Sequence, residues 1–483
     1  MNGTVVEIAG DPESPHSQGK VCAKGRAGIM GLYDPYRPTR PLKRTNPEKG
    51  IGVDPGWQEI SWEEALDTVV EKLKPVREED PRGLLDLGHD FQMAVCRSVF
   101  ASAFGTPNYV VGTPGYFCGP ALHLVHYLME GAFQGEPDFD YCNYALMVGG
   151  QEGFMVSLNS VALARKMAEA RARGMRVVVV DPMCGVAAAK ADEWIPIRPG
   201  TDAAFALGIL NLLLNELGIY DQPFLKRYSN GPYLVGEDGY YVRERESRKP
   251  LVWDSQEGQA RVYDAPVKDV ALEGSFEVEG KSCFPAFGLF KEHVKGYKPD
   301  EVARITTVPA DTLRRVAKEF GQAARVGSQI AIDGMEFPCR PAACIWRRGA
   351  GAHKHGGMAG LALEMIIAVV GAIDVPGGLL GNRTITPFGG PKEGVDGILV
   401  PSDFALSEHR PYPARSVQAP EGLALLNLFP VAYGAQPSFE EGVLDPKKYG
   451  LDYRPQVLMH MHSNVLLTAS SPRRMAQVLK AVP

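Results

Sequence analysis

Cys118 lies in the run Thr113-Pro114-Gly115-Tyr116-Phe117-Cys118-Gly119-Pro120. Glycine and proline on both sides keep it out of helix and strand interiors. A thiol held on such a loop can point into a cavity and, as a thiolate, ligate a soft metal. The plain alternative is a free cysteine packed as a small apolar residue. His123 and His126 follow, three residues apart. That spacing can serve one ion, but no partner Glu or His is evident nearby, and both read as surface or core histidines.

A second chemical group sits between a strand and a helix. Gly149-Gly150-x-x-Gly153 follows Tyr144-Ala145-Leu146-Met147-Val148. It departs from the dinucleotide pattern Gly-x-Gly-x-x-Gly, yet amides on such a turn can cradle a phosphate or a polar ring. Asp181-Pro182 ends the next strand, and Arg198 with Gly200-Thr201-Asp202 follows a third. Three consecutive strand ends with nucleotide-compatible groups point to a bound nucleotide. Ordinary turn chemistry, which also favours Gly, Asp and Thr, is the competing account.

The elements that must position these groups alternate. Ser61-Trp62-Glu63-Glu64 reads as a capping box, with Ser61 taking the Glu64 amide and the Glu64 carboxylate returning to Ser61. Trp62, Leu66, Val69, Val70 and Leu73 give that helix one apolar face. A strand over 83–87, a helix over 92–104 and a helix over 121–128 are expected next. The clearest unit is strand 144–148, helix 157–173 and the wholly apolar strand Val177-Val178-Val179-Val180, typical of the middle of a parallel sheet. A strand at 194–197 precedes a long buried helix at 203–217. Residues 226–290 read as an antiparallel insertion, with Tyr233-Leu234-Val235 and Tyr240-Tyr241-Val242 facing across a Gly-Glu-Asp-Gly turn. A helix at 310–320, a strand at Ile330-Ala331-Ile332, a helix at 358–370, a strand at 456–460 and a helix at 471–479 complete the pattern. This is α/β with doubly wound, Rossmann-like lobes.

The whole chain bounds the reading. Its 483 residues are too long for one core, and about three domains are expected. Net charge is -6 without a basic tract, which argues against nucleic acid as a partner. No apolar run reaches the ~20 residues that cross a bilayer; Asn211 and Asn215 interrupt the longest, so direct membrane insertion is not expected. Eight cysteines without a Cys-x-x-Cys pair exclude a disulfide scaffold. Residues 1–21 read as a strand (Thr4 to Ile8) and a turn, and the chain stops straight after a helix. Both ends lead us to expect a fragment of a longer protein.

In this order, the pieces resemble the molybdopterin oxidoreductases of the dimethyl sulfoxide reductase superfamily, in a branch with a Cys metal ligand. The resemblance begins at Ile8-Ala9-Gly10-Asp11-Pro12 and Gly19-Lys20-Val21-Cys22-Ala23-Lys24-Gly25. It continues through Tyr33-x-Pro35-x-Arg37, Pro41-Leu42-x-Arg44, the capped helix and Gly105-Thr106-Pro107-Asn108, and on to the Cys118 loop. It implies that Cys22 is the fourth ligand of a [4Fe–4S] cluster and that Lys24 lies between cluster and pterin. It implies Cys118 as the protein ligand of molybdenum or tungsten. Gly149, Gly150, Gly153, Asp181, Pro182, Gly200, Thr201 and Asp202 would hold the guanine dinucleotide ends of two pterins. Asp333, Gly334, Met335, Lys354, Ser463 and Asn464 would supply further cofactor contacts, and His353 and His355 would donate protons or meet phosphate.

The function implied is that of a catalytic subunit for two-electron redox or oxygen or sulfur atom transfer on a small substrate. Electrons would pass by way of the cluster to a separate iron–sulfur subunit, with a membrane-anchor subunit as a further partner. The three other cluster cysteines and the C-terminal dinucleotide-binding domain of the family are missing from this sequence, so the cluster is expected only where those cysteines are present. The domain division expected is 1–50 as a β-rich remnant of the cluster domain, 51–138 with 334–483 as a discontinuous lobe, and 139–333 as an inserted lobe. Sulfur oxyanions, polysulfide and acyl thioesters all suit this branch, the insertion favouring the last. Rival readings are a redox-neutral hydratase or transhydroxylase, a non-catalytic relative of the complex I type, and a nicotinamide dehydrogenase.

Overall fold

A computed structural model describes residues 3–88, 94–111, 122–132, 134–151, 153–154, 160–382, 389–393, 399–402, 438–449, 451–462, 464–468 and 471–483. In chain order the main elements are α1 (Trp62–Glu79), β1 (Leu84–Gly88), α2 (Ala94–Phe104), β2 (Tyr109–Val111), α3 (Leu124–Glu130), β3 (Tyr144–Val148), α4 (Ser160–Ala172), β4 (Arg176–Val180) and β5 (Glu193–Ile195). They continue with α5 (Asp202–Asn211), α6 (Ala310–Ala324), β6 (Ala342–Trp346), α7 (Gly356–Val369), β7 (Val457–Met461) and α8 (Pro472–Ala481). The described residues fall into two compact units, one made of 3–111 and 389–483, the other of 122–382.

The first unit is built on a parallel sheet in the order β7-β1-β2, with Val457 opposite Leu84 and Asp86 opposite Tyr109. Leu85 and Leu87 of β1 pack with Val443, Leu451, Val465, Met475 and Val478 into its core. Helix α1 begins as its sequence requires: the Ser61 hydroxyl accepts the Glu64 amide at 3.0 Å. The Glu64 carboxylate turns instead to Lys43 Nζ, also at 3.0 Å. The expected apolar face of α1 is not covered by the described residues. Trp62, Leu66, Val69 and Val70 are exposed, and only the C-terminal end of the helix, at Leu73 and Val76, joins a core. Nor are residues 1–50 rich in strand. Thr4 to Ile8 lie outside any strand, two short helices cover Ala23–Arg26 and Gly28–Leu32, and one strand, Leu42–Arg44, pairs with Trp57–Glu59.

The second unit holds a four-stranded parallel sheet in the order β6-β3-β4-β5. Every residue of β3 and β6 is buried, as are Val177 to Val180 of β4. Such all-apolar strands need helices on both faces. Helix α7 packs against α5, α3 and β6, while α6 packs against α5, β6 and β3. Helix α5 passes into a π-helical turn at Leu212–Glu216, so the expected single helix over 203–217 changes its winding after Asn211.

Three expectations are corrected in this unit. Ile330 to Ile332 do not enter the parallel sheet. Gln329–Ile332 and Met335–Pro338 form a two-stranded hairpin, and its turn residues Asp333 (φ 50°) and Gly334 (φ 79°) are both left-handed, as a tight primed turn requires. The sheet strand is β6, whose pairing with β3 puts residues 342–382 in this unit. In the antiparallel insertion Leu234–Gly236 pairs mainly with Lys281–Pro285, and Tyr241 makes only an isolated bridge to Val235.

Candidate functional site

In the second unit the chain runs β3, β4, β5 outward and then returns to place β6 on the other side of β3. The strand order therefore reverses between β3 and β6, and open α/β sheets bind ligands outside the carboxyl ends of strands at such a switch point. Gly149 stands there, directly after β3. Its amide donates to Val180 O at 3.0 Å, and its carbonyl accepts the Gly349 amide at 3.0 Å. Gly149 is left-handed (φ 56°), and a Cβ on it would fall on the Ala350 amide nitrogen and 2.8 Å from the Gly349 carbonyl carbon. Two strand ends thus meet backbone to backbone, leaving a surface made of peptide groups.

The neighbouring strand ends add side chains. Gly150 and Gly153 are buried, and Gly153 (φ 74°) backs onto Met167 of α4. After β4, Asp181 Oδ1 accepts the Met183 amide at 2.9 Å, and exposed Pro182 follows. After β5, Gly200 (φ 76°) and Thr201, whose hydroxyl donates to Arg198 O at 2.7 Å, lead into Asp202 at the start of α5. His353, from the segment after β6, brings Nε2 to 3.6 Å from Asp202 Oδ2. His353 Nδ1 accepts the His355 amide at 3.2 Å, so the ring proton of the neutral form sits on Nε2 and faces Asp202. Burial pushes the Asp202 carboxyl above its ordinary value, with the Asp181 charge adding to it; its own amide and His353 act in the opposite sense. At 3.6 Å the two groups stand at ion-pair distance, longer than a hydrogen bond. Lys354 and His355 are exposed beside it.

The first unit repeats the device. β1 precedes β2, and β7 lies on the other side of β1, so this sheet also reverses at its carboxyl edge. Cys118 follows β2 in the chain but falls outside the described residues, as does Ser463 after β7. Asn464 Oδ1 accepts the Leu467 amide at 3.3 Å. Beneath this edge lies a buried ion pair, Arg97 Nη2 to Asp86 Oδ1 at 2.6 Å. Burial raises the Asp86 carboxyl and Arg97 opposes it, while burial, and then the Arg97 charge, push His460 down.

Cys22 precedes the helical turn Ala23–Arg26. Amides, Gly25's first, lower its thiol, and the nearby Lys24 charge helps, against a smaller effect of desolvation. That favours the thiolate a metal requires. Lys24 itself is exposed. Asp333, Gly334 and Met335 form the hairpin turn described above, and the base of that hairpin (Cys339 amide to Ser328 O, 3.0 Å) adjoins the amino end of β6. The sheet edge thus gathers the glycine turn, Asp181, Gly200 to Asp202 and His353, and leaves the 333–335 turn out of the group.

Sequence reasoning missed partners of His126. Glu130, one helical turn on, and Glu364 of α7 lie against it in the interior. The signal was present: a His and a Glu four apart on α3, and a carboxylate in the otherwise apolar α7.

Two family descriptions match the chain: molybdopterin oxidoreductase over residues 37–410 and the molybdopterin oxidoreductase Fe4S4 domain over residues 1–34. In the sulfite dehydrogenase of Allochromatium vinosum, one subunit is 34% identical over 432 residues, covering 82% of this chain and 43% of that protein. The molybdopterin-containing subunit of arsenate respiratory reductase from Shewanella is 26% identical over 392 residues, covering 80% and 40%. Acetylene hydratase from Pelobacter acetylenicus shares the fold, with a TM-score of 0.64 and 21% identity over 99% of this chain and 56% of that one. The chain spans under half the length of these two curated relatives.

Proposed function

Because this chain belongs to the molybdopterin oxidoreductase family, we propose that it forms part of the catalytic subunit of an enzyme carrying molybdenum or tungsten on two pterin guanine dinucleotides. When bound, that group supplies two-electron redox or oxygen-atom transfer at the metal, chemistry no side chain can perform. The residues present fit it. The glycines let the ends of β3 and β6 meet at the carboxyl edge, Asp181 and Asp202 offer carboxyl oxygens there to ribose or base edges, and His353 lies 3.6 Å from Asp202. Cys118 would ligate the metal, and Asn464 would contribute a pterin contact, as the sequence resemblance implies. The division into a small cluster domain, a discontinuous lobe and an inserted lobe belongs to the same proposal, with the inserted lobe extended to include β6 and α7.

Cys22, with its lowered thiol, is the cluster ligand in this reading. Residues 1–34 contain this one cysteine, a quarter of what a [4Fe–4S] centre takes. The substrate class we favour is an inorganic oxyanion of sulfur, since the 34% identical relative is named for sulfite. Two relatives are named as subunits, A of a sulfite dehydrogenase and alpha of a dimethylsulfide dehydrogenase, and an iron–sulfur partner subunit is proposed on that ground. Among the described residues no helix is long and apolar enough to cross a membrane.

The observation that carries the reading is the 37–410 family match joined to a parallel sheet whose strand order reverses beside Gly149. The test is Cys118→Ala in the intact protein. Sulfite oxidation with an artificial electron acceptor and bound metal are measured together. Turnover is expected to vanish while far-UV circular dichroism stays native. Undiminished turnover refutes Cys118 as ligand, and an intact wild-type protein without molybdenum or tungsten refutes the whole reading.

A further inference from the structure

His126, Glu130 and Glu364 lie between α3 and α7, beside Trp346 at the end of β6, and their side chains are wholly inaccessible to solvent. His126 Nδ1 is 3.4 Å from Glu130 Oε1 and 3.3 Å from Glu364 Oε1. One donor atom from each of the three falls within 4.8 Å of the others. Nitrogen and oxygen ligands at about 2.0–2.1 Å from a tetrahedral cation stand roughly 3.3–3.4 Å apart. Both contacts at Nδ1 have that separation.

The polar accounting asks for something more than protein. Glu364 Oε1 accepts the Trp346 indole N–H at 2.5 Å, which orients the carboxylate as an outer-shell donor orients a metal ligand. Its second oxygen, Oε2, is buried and finds no hydrogen-bond partner among the described residues. The Gly135 amide donates to His126 Nδ1 at 3.3 Å. A cation ligated by that nitrogen would replace this long bond. Gly135 also makes room: a Cβ there would sit 2.7 and 2.9 Å from the two Glu130 oxygens. Arg347 donates to the carbonyls of Trp346 and Gly135 and lies 4.0 Å from Glu136. A buried carboxylate oxygen without a partner is costly, and a bound divalent cation removes that cost.

We propose that His126, Glu130 and Glu364 bind a first-row divalent cation of the zinc or manganese class, which clamps α3 to α7 beside the end of β6. The cation is structural, and it is separate from the pterin-held metal and from the cluster iron.

The test uses the intact protein, produced with added zinc, manganese or cobalt and dialysed against a chelator. Plasma mass spectrometry counts every metal in one sample. Wild type is expected to keep about one such cation per chain, bound during folding. Glu364→Gln and Glu130→Gln should lose it while retaining the pterin-held metal, with lower melting temperatures. The cobalt form should show visible absorption that Glu364→Gln abolishes. Should both variants fail to fold, the wild-type count still decides. A wild-type protein without such a cation overturns the proposal and leaves the carboxyls neutralised by shared protons. A cation retained in full by folded Glu364→Gln overturns the assignment of ligands.

Discussion

Gly149→Ala is the sharpest probe of the sheet-edge arrangement. The backbone at Gly149 has φ 56°, a region that costs an L-residue roughly 1–2 kcal/mol. The added methyl would also press on the Ala350 amide nitrogen and the Gly349 carbonyl carbon. Those are backbone atoms, so no side chain can swing aside, and the loop after β6 must retreat. Retreat stretches the Gly349 amide to Gly149 carbonyl bond, now 3.0 Å, worth about 1 kcal/mol. Together these come to roughly 2–4 kcal/mol. Gly200→Ala is the internal control. Its φ is 76° and nothing lies within 4 Å of the new methyl, so only the backbone term, about 1–2 kcal/mol, applies. Urea denaturation of the two variants at constant m measures the difference, and pterin released on denaturation measures cofactor retention. Gly149→Ala should be the less stable by about 1–2 kcal/mol and should hold less cofactor. Equal unfolding midpoints would refute the close packing of the two strand ends.

Two further outcomes follow from the second unit. Asp221 and Arg340 form a buried pair, with Arg340 Nε at 3.1 Å and Nη2 at 2.5 Å from the same carboxylate oxygen. Asp221→Asn should cost about 3–5 kcal/mol by urea denaturation, since a buried guanidinium loses its counter-charge, and a cost below one kcal/mol would contradict the pairing. Asp202 has a carboxyl raised above its ordinary 3.8. The folded form therefore keeps its proton to higher pH than the unfolded form, and the stability this adds is present in acid and lost as pH rises through the folded value. Asp202→Asn should flatten the fall in melting temperature from about pH 4 upward; an unchanged pH profile would show that burial does not perturb this group.

Local patterns in the sequence were enough for much of the parallel scaffold. Tyr144 to Val148 reads correctly to the residue, and the four valines of β4 announce a central strand. Ser61 caps its helix as its type and spacing demand. The missed β6 and the missed Glu364 share one cause, that pairing over long sequence distance leaves no local mark. β6 reads Ala-Ala-Cys-Ile-Trp, with too little β-branching to compete with Ile330-Ala331-Ile332, which is instead a half-exposed hairpin arm. His126 looked isolated because one of its partners lies on α7, far along the chain. For α1 the apolar stripe was visible, but its burial was not decided by the stripe itself. The groups at the carboxyl edge were legible because strand, turn and helix boundaries are local; Cys118 and Ser463 fall outside the described residues.

The two asparagines that interrupt the longest apolar run act as keys. Asn211 Nδ2 donates to Tyr297 O at 3.2 Å, and Asn215 Nδ2 donates to Lys291 O at 3.0 Å and to Asn211 Oδ1 at 3.0 Å. Both carbonyls belong to the stretch at and just beyond the helix that closes the antiparallel insertion, Ala286–Val294. An oily contact would let that appendage slide along the interior; two amides reading two fixed carbonyls admit one seating. The residues that spoil this stretch as a membrane segment are the ones that lock an accessory module in register with its host.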